Sequence, residues 1–553
     1  MESADFYDYS VKIENFHKME VEQAHNINHS NMIKNYIFAR RNISTLPFNQ
    51  KFQDKKKFFE SFFNSNLILK NIDEIIAIFN KLYNSSSLNN NKKEIDIIKN
   101  TLIEYLKQIR KELSKENISL IEAKSLFNDK MQKFIELLLK DEYDPYIQLE
   151  SLWIINNLMF LIAKYNNSIF FDVQHIANLL LQYLINIYKN QKNEGVKYTL
   201  GEKILRIFGN LIHINNNIID LLIKNQIIPF IINSLNSPVS SFRTACLWLI
   251  NKIIFILIKL EAKDYLKIFT EKDAISNYKF ILTRIENQHS FDEIGELFWL
   301  FNELVKFNSS SLVPIFFSDF SNINNNNDLV SLNKEFALKN FEFVLNNCLT
   351  TKMIQTCFRL ISNLLIVCMN DVKDNELLAK LIDRIYLKQS ILGFINDILN
   401  SPKNKYDPFL IKDILLLIFN LIGLSKTKSC IIFRNGIVNL INDKDYQNDN
   451  EIMKLLIFIY YKILSCSMFL FEQNDDKTIK TFLAIMERFK DDSSILIIFI
   501  DILFYYLKAS HIKIGNDIEF ELNLLSNSEK NIPIEKLQII LLKFSNFIKL
   551  PLS

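Results

Sequence analysis

The sequence predicts an all-α solenoid built from stacked helical repeats. Three observations carry that reading. Apolar residues recur at helical spacing from about Ile72 to Ile548 with no strand-like alternation. Glycine and proline are scarce, 8 and 9 in 553 residues, so sharp turns are few. A long apolar helix carrying an asparagine near its end returns along the chain, the mark of a repeat array. The composition, 49% hydrophobic and 23% charged, suits a core that runs from repeat to repeat instead of dividing into separate domains.

In chain order, residues 1–50 lack the apolar periodicity and read as an arm ahead of the solenoid. Three helical patterns follow, Ile72 to Tyr83, Lys93 to Leu113 and Ser119 to Leu139, with a polar loop at Asn84 to Asn91. They fit a first repeat that caps the array with a polar face. The stretch Asp144-Pro-Tyr-Ile-Gln-Leu-Glu-Ser-Leu-Trp-Ile-Ile-Asn-Asn-Leu158 then reads as a long helix with two stripes. Leu149, Leu152, Ile155 and Met159 make a core seam, while Glu150, Trp153 and Asn157 share the neighbouring stripe. An indole and an amide at i and i+4 suit a gripping surface, although a plain core role also places a tryptophan on such a helix. After a loop around Asn190 to Glu194 comes Gly201-Glu-Lys-Ile-Leu-Arg-Ile-Phe-Gly-Asn210. Asn225 to Leu235 has the grammar of a turn followed by a helix with Pro229 in its first turn, and Arg434 to Ile441 repeats it without the proline. The long-helix pattern returns in Arg243 to Asn251, Gly295 to Glu303, Gln355 to Asn363 and Lys412 to Asn420. Asn322 to Asp328 and Asp371 to Tyr406 hold the expected insertions, which belong on the surface. Helical patterns continue through Glu451 to Leu464, Ser494 to Leu507 and Ile534 to Ile548.

Taking positions 157, 210, 251, 303, 363, 420 and 462 as anchors, the steps between them are 53, 41, 52, 60, 57 and 42 residues. The shortest match the armadillo or HEAT repeat, and the longer ones imply loop insertions.

These motifs carry a resemblance to the importin-α family of nuclear transport adaptors. Ile147 to Asn157 looks like the third helix of that family's second armadillo repeat, Phe208-Gly-Asn-Leu211 resembles the next repeat, and Gln355 to Asn363 resembles the sixth, where the family itself has Arg in place of Trp, here Arg359. The resemblance covers nearly the whole chain and implies a right-handed armadillo-repeat superhelical solenoid of about ten repeats over residues 71–550. It also implies a concave groove lined by Trp and Asn pairs, in which the Asn amides hold the backbone of an extended peptide and the indoles form slots for lysine stems. The implied groove residues are Trp153, Asn157, Asn210, Asn251, Trp299, Arg359, Asn363 and Asn420. At the other Trp positions stand Arg206, Leu247, Leu416 and Phe458, with Trp248 one residue off its slot, and Lys462 takes the eighth anchor. Arg206 and Ile214, which stand where the family has an indole and an acid, weaken the expected taste for lysine.

In the family the N-terminal segment is a basic helix that binds importin-β. Here Phe38-Ala-Arg-Arg-Asn-Ile-Ser-Thr45 resembles its end, with Arg40 and Arg41 as the basic pair, but the preceding segment is thin in basic residues. Ile518 to Asn531 resembles the final half-repeat, without the acidic tail that usually follows it. The implied partners are importin-β and cargo proteins with basic or extended signals, and the implied location is cytoplasm and nucleus. An armadillo scaffold holding another partner, in a cytoskeletal or ciliary assembly, is the alternative.

Other classes find little support. A net charge of +3 gives no broad nucleic-acid footprint. The apolar tracts are broken by polar residues before they reach membrane-spanning length, as Asn251 and Lys252 break Leu247 to Leu260. Cys246, Cys348, Cys357, Cys368, Cys430 and Cys466 show no CxxC spacing and read as thiols in a reducing compartment. No phosphate loop, histidine ligand pair or nucleophile motif is present, so no enzyme activity, cofactor, metal or small-molecule substrate is expected.

Overall fold

The computed structural model describes residues 65–83, 92–115, 118–139, 144–165, 172–288, 291–305, 341–345, 351–370, 389–400, 407–424, 426–466 and 475–509, with a few single positions beyond these. Among the described residues there is no strand, and the helices fall into two compact units divided at Asn215 and Asn216.

The first unit contains α1 (Ser65–Tyr83), α2 (Lys92–Leu113), α3 (Leu120–Leu126), α4 (Asp129–Leu138), α5 (Pro145–Tyr165), α6 (Val173–Asn190) and α7 (Glu194–Ile214). The long helices α2, α5 and α7 stack in order, and α1, α4 and α6 form a second row behind them. The triplet α3, α4 and α5 is a three-helix repeat of the armadillo kind, a short helix, a medium one and a long one. Local sequence sets its joints. Ser119 closes a capping box with Glu122: its Oγ accepts from the Glu122 N–H at 3.3 Å, and its own N–H donates to the carboxylate at 2.7 Å. Asn128 caps α4 by accepting from the Met131 N–H. This second cap divides the Ser119 to Leu139 pattern into two helices where the periodicity alone suggests one. Pro145 occupies the first position of α5, while the Asp144 carboxylate accepts from the Tyr146 N–H.

The second unit contains α8 (Ile218–Lys224), α9 (Ile227–Ser234), α10 (Ser240–Lys259), α11 (Lys272–Gln288), α12 (Phe291–Leu304), α13 (Thr351–Asn370), α14 (Gln389–Asn400), α15 (Pro408–Leu424), α16 (Lys426–Ile441), α17 (Asn450–Cys466), α18 (Asp475–Ile485) and α19 (Ser493–Ala509). Here α10, α12, α13, α15, α17 and α19 stack one on the next, with α9 on α11 and α14 on α16 and α18 alongside. The turn between α8 and α9 is made by Gln226, whose φ of 57° is left-handed. Asp407 and Pro408 open α15 just as Asp144 and Pro145 open α5.

The all-α armadillo solenoid expected from the sequence is therefore the architecture of the described residues, with the long helices of each unit packed one on the next. One local expectation changes. Gly436 ends no turn: α16 runs straight through it, and the glycine lets Leu399 of α14 come close. The span 371–406 contains α14, and most of its other residues lie outside the described ones. The expectations for residues 1–50, for the loops at 84–91 and 322–328, and for nearly all the chain past 509 lie outside the described residues.

Candidate functional site

The long-helix row carries every described residue of the expected ladder. Its amides turn out to have work within the stack. Asn157 is fully buried and donates to Ser114 Oγ at 3.1 Å, reaching from α5 to the end of α2. Asn210 of α7 donates to the Asn156 side-chain Oδ1 of α5 at 3.1 Å. Asn251 of α10 donates to both the backbone oxygen and the carboxylate of Glu296 on α12. Asn363 of α13 donates to Asn302 of α12 at 3.0 Å, and Asn302 in turn donates to the Thr356 backbone oxygen of α13. Asn420 of α15 donates to Ser362 Oγ of α13 at 2.8 Å. Lys462 of α17 sits where the next asparagine would be and donates to the Phe419 backbone oxygen at 3.0 Å, with its ammonium 3.6 Å from the Phe419 ring centre. A buried amide must find partners, and here it finds them on the adjacent repeat.

One offset recurs at four of the rungs. Asn210, Asn363, Asn420 and Lys462 each reach the residue just before the preceding anchor, namely Asn156, Asn302, Ser362 and Phe419. Reading the anchors alone missed these acceptors. The doublets Asn156-Asn157 and Ser362-Asn363 were the available signal.

Trp153 is half-buried on α5, and two cations of the chain lie against its indole. Lys203 of α7 places its Nζ 4.0 Å from the ring centre, and the Arg110 guanidinium of α2 lies at 5.9 Å. Carboxylates flank the pair. Glu150 faces Arg110 Nε at 2.7 Å, and Glu202 takes Arg206 Nε at 3.1 Å with Lys203 Nζ at 3.4 Å. Burial raises the Glu150 pKa above the usual carboxylate range, against the opposing pull of Arg110.

In the second unit Trp299 is half-buried on α12, while Trp248 is buried with the Lys252 ammonium 5.5 Å from its ring. Arg359 bonds both carboxylate oxygens of Asp413 on α15, each at 2.9 Å. Burial pushes the Asp413 pKa up, while Arg359 pulls it down. Among the described residues the most enclosed ion pair is Arg243 of α10 with Glu293 of α12, side chains 0% and 2% exposed, and Ser240 also donates to Glu293. Arg40 and Arg41 lie outside the described residues.

No protein-family model matches the chain, and no curated protein matches it. Among solved structures it is similar to an engineered protein at 12% identity, over 87% of this chain and 99% of that one, with a TM-score of 0.48. A designed armadillo repeat protein aligns at 13% identity over 51% of this chain and 99% of its own, with a TM-score of 0.34. A chain of the SYS-1/POP-1 complex aligns at 14% identity over 96% of this chain and 95% of that one, with a TM-score of 0.49.

Proposed function

We propose that this chain is a protein-interaction adaptor of the importin-α kind, holding an extended cargo segment, a nuclear localisation signal, along its long-helix row. In this reading it couples that cargo to importin-β through the N-terminal arm bearing Arg40 and Arg41, and works between cytoplasm and nucleus. The observation that supports it is the ladder. Trp153, Asn157 and Asn210 stand on long helices of the first unit, and Asn251, Trp299, Asn363 and Asn420 on long helices of the second. A long-helix row of this kind offers an extended strip on which a partner segment can lie. The test is retention on immobilised importin-β. The full chain is expected to be retained, and the chain lacking residues 1–50 is expected to flow through. Failure of the full chain to bind would remove the adaptor reading.

A second reading, a scaffold for another partner that has given up lysine-rich signals, draws support from Lys203 on the Trp153 indole, a cation of the chain itself on a ring that the adaptor reading needs for cargo lysines.

A further inference from the structure

We propose that the half-buried cluster of Tyr461, Asp501 and Tyr505, where α17 packs on α19, seats the ammonium of a lysine carried by the segment that the long-helix row holds. This rests on the reading that the row holds extended segments, and it places a cation site apart from the Trp and Asn rungs.

Asp501 breaks a rule that the other enclosed acids obey. Glu150, Glu202, Glu293 and Asp413 each have an arginine within ion-pair distance, namely Arg110, Arg206, Arg243 and Arg359. A charge withdrawn from water needs such a partner. Asp501 has, among the described residues, the Tyr461 hydroxyl alone. Burial raises its pKa to about 6 and no cation pulls it back, so at pH 7 it is an ionised carboxylate held by one neutral donor. Folding gains nothing from that arrangement, whereas a cation arriving with a partner does.

The surroundings suit a lysine. Lys454, Phe458, Tyr461 and Ser465 fall on one stripe of α17, and Ser494, Ile497, Asp501 and Tyr505 on one stripe of α19, all of them half-buried or exposed. Lys454 is tied to Asp492 at 2.8 Å, which leaves Asp501 as the uncompensated charge of the two stripes. Lys462 is committed to α15, where it donates to the Phe419 backbone oxygen. The Tyr461 and Tyr505 rings lie 6.3 Å apart with their planes tilted by 40°. A cation bonded to Asp501 therefore has tyrosine rings beside it, and a ring within about 6 Å adds attraction of its own. Phe458 and Ile497 offer apolar surface for the methylene stem, which a free ammonium ion would not use. Because the Tyr461 hydroxyl already takes up part of the carboxylate, the single contact of an ammonium fits better than the two parallel bonds of a guanidinium.

The experiment measures fluorescence anisotropy of the full chain with labelled, otherwise neutral ten-residue peptides that carry one central Lys, Arg or Gln. The Lys peptide is expected to bind about tenfold more tightly than the Gln peptide, with the Arg peptide between them. Asp501→Asn, which keeps an acceptor for the Tyr461 hydroxyl, should remove most of that preference and leave Gln-peptide affinity unchanged. Its melting temperature at pH 7 should stay level or rise, because an uncompensated carboxylate has been taken away. Tyr505→Leu should weaken the Lys peptide about threefold. Weaker binding accompanied by a lower melting temperature in Asp501→Asn would make the residue structural and overturn the inference. A Lys preference indifferent to Asp501→Asn overturns the site while leaving segment binding intact. Butylammonium competing at the same concentration as the Lys peptide overturns the choice of a peptide ligand. If none of the three peptides binds, the inference and the segment-holding reading fall together.

Discussion

Arg243 and Glu293 show what a single residue can decide in this stack. The guanidinium gives two bonds to the carboxylate and one, from Nη1, to the Ser237 backbone oxygen at 2.7 Å, with both side chains almost fully buried. Such a pair contributes modestly to stability, because desolvation offsets attraction, but losing one partner strands a buried charge. Glu293→Gln is therefore expected to destabilise the protein by about 3 to 5 kcal/mol in urea unfolding, whereas Arg243→Met with Glu293→Leu should cost much less. Equal losses for the single and double variants would show that the pair is not the source. Lys252 offers a second case on the same helix. It is buried beside Trp248, and burial lowers its pKa to about 7 although Glu296 pulls upward. Below about 7 the folded and unfolded chains both hold that proton, and the whole penalty of burying an ammonium is present. Between about 7 and the usual lysine pKa near 10 only the unfolded chain holds it, so this group makes stability rise with pH by about 1.4 kcal/mol per unit. Lys252→Met should raise stability at pH 7 and flatten the rise between pH 7 and 9; an unchanged slope would refute the assignment.

At the scale of the helix, the apolar period and the caps were readable, and tertiary approach was not. The helices α5, α7, α15, α17 and α19 fall where the periodicity places them, because an amphipathic or wholly buried helix writes its burial into its sequence. α5 and α10 are apolar nearly all round, since neighbours in the stack cover most of their sides. Gly436 misled, because a glycine that ends a helix and one that admits a neighbour look alike in sequence. A methyl group there would stand 2.7 Å from Leu399 Cβ, closer than carbon atoms pack. Gly436→Ala should consequently lower stability by about 1 to 3 kcal/mol, despite alanine's better helix propensity. Gly393 on α14 has nothing within 4 Å of its missing methyl, so Gly393→Ala should gain up to about 1 kcal/mol. Thermal unfolding of the two variants should move in opposite directions. The ladder was half legible for a similar reason: the anchors announce themselves by recurrence, while their acceptors are fixed by how one helix sits on the next, as are the cations at Trp153.

For the molecule as a whole, one-dimensional packing predicts that damage stays local. Among the described residues the long helices of each unit pack one on the next, so stability is approximately a sum of repeat and interface terms. Asn420→Ala removes the bond to Ser362 and should raise amide hydrogen exchange in α13 and α15 by about tenfold or more, leaving α5 and α7 unchanged. Uniform loss of protection along the chain would contradict this picture.

The offset shared by Asn210, Asn363, Asn420 and Lys462 also accounts for an irregularity of the sequence. Inserting one residue ahead of a rung in a long helix would turn that rung by about 100° and swing its amide away from the acceptor on the preceding repeat. The rungs thus act as index pins. They forbid length changes where helix meets helix and leave the connections free to grow or shrink. The steps between anchors range from 41 to 60 residues, yet Asn210, Asn363, Asn420 and Lys462 all land one residue short of the anchor before them. The indole positions carry no such pin, which is a physical reason for this chain to hold asparagine at five rungs and tryptophan at only two.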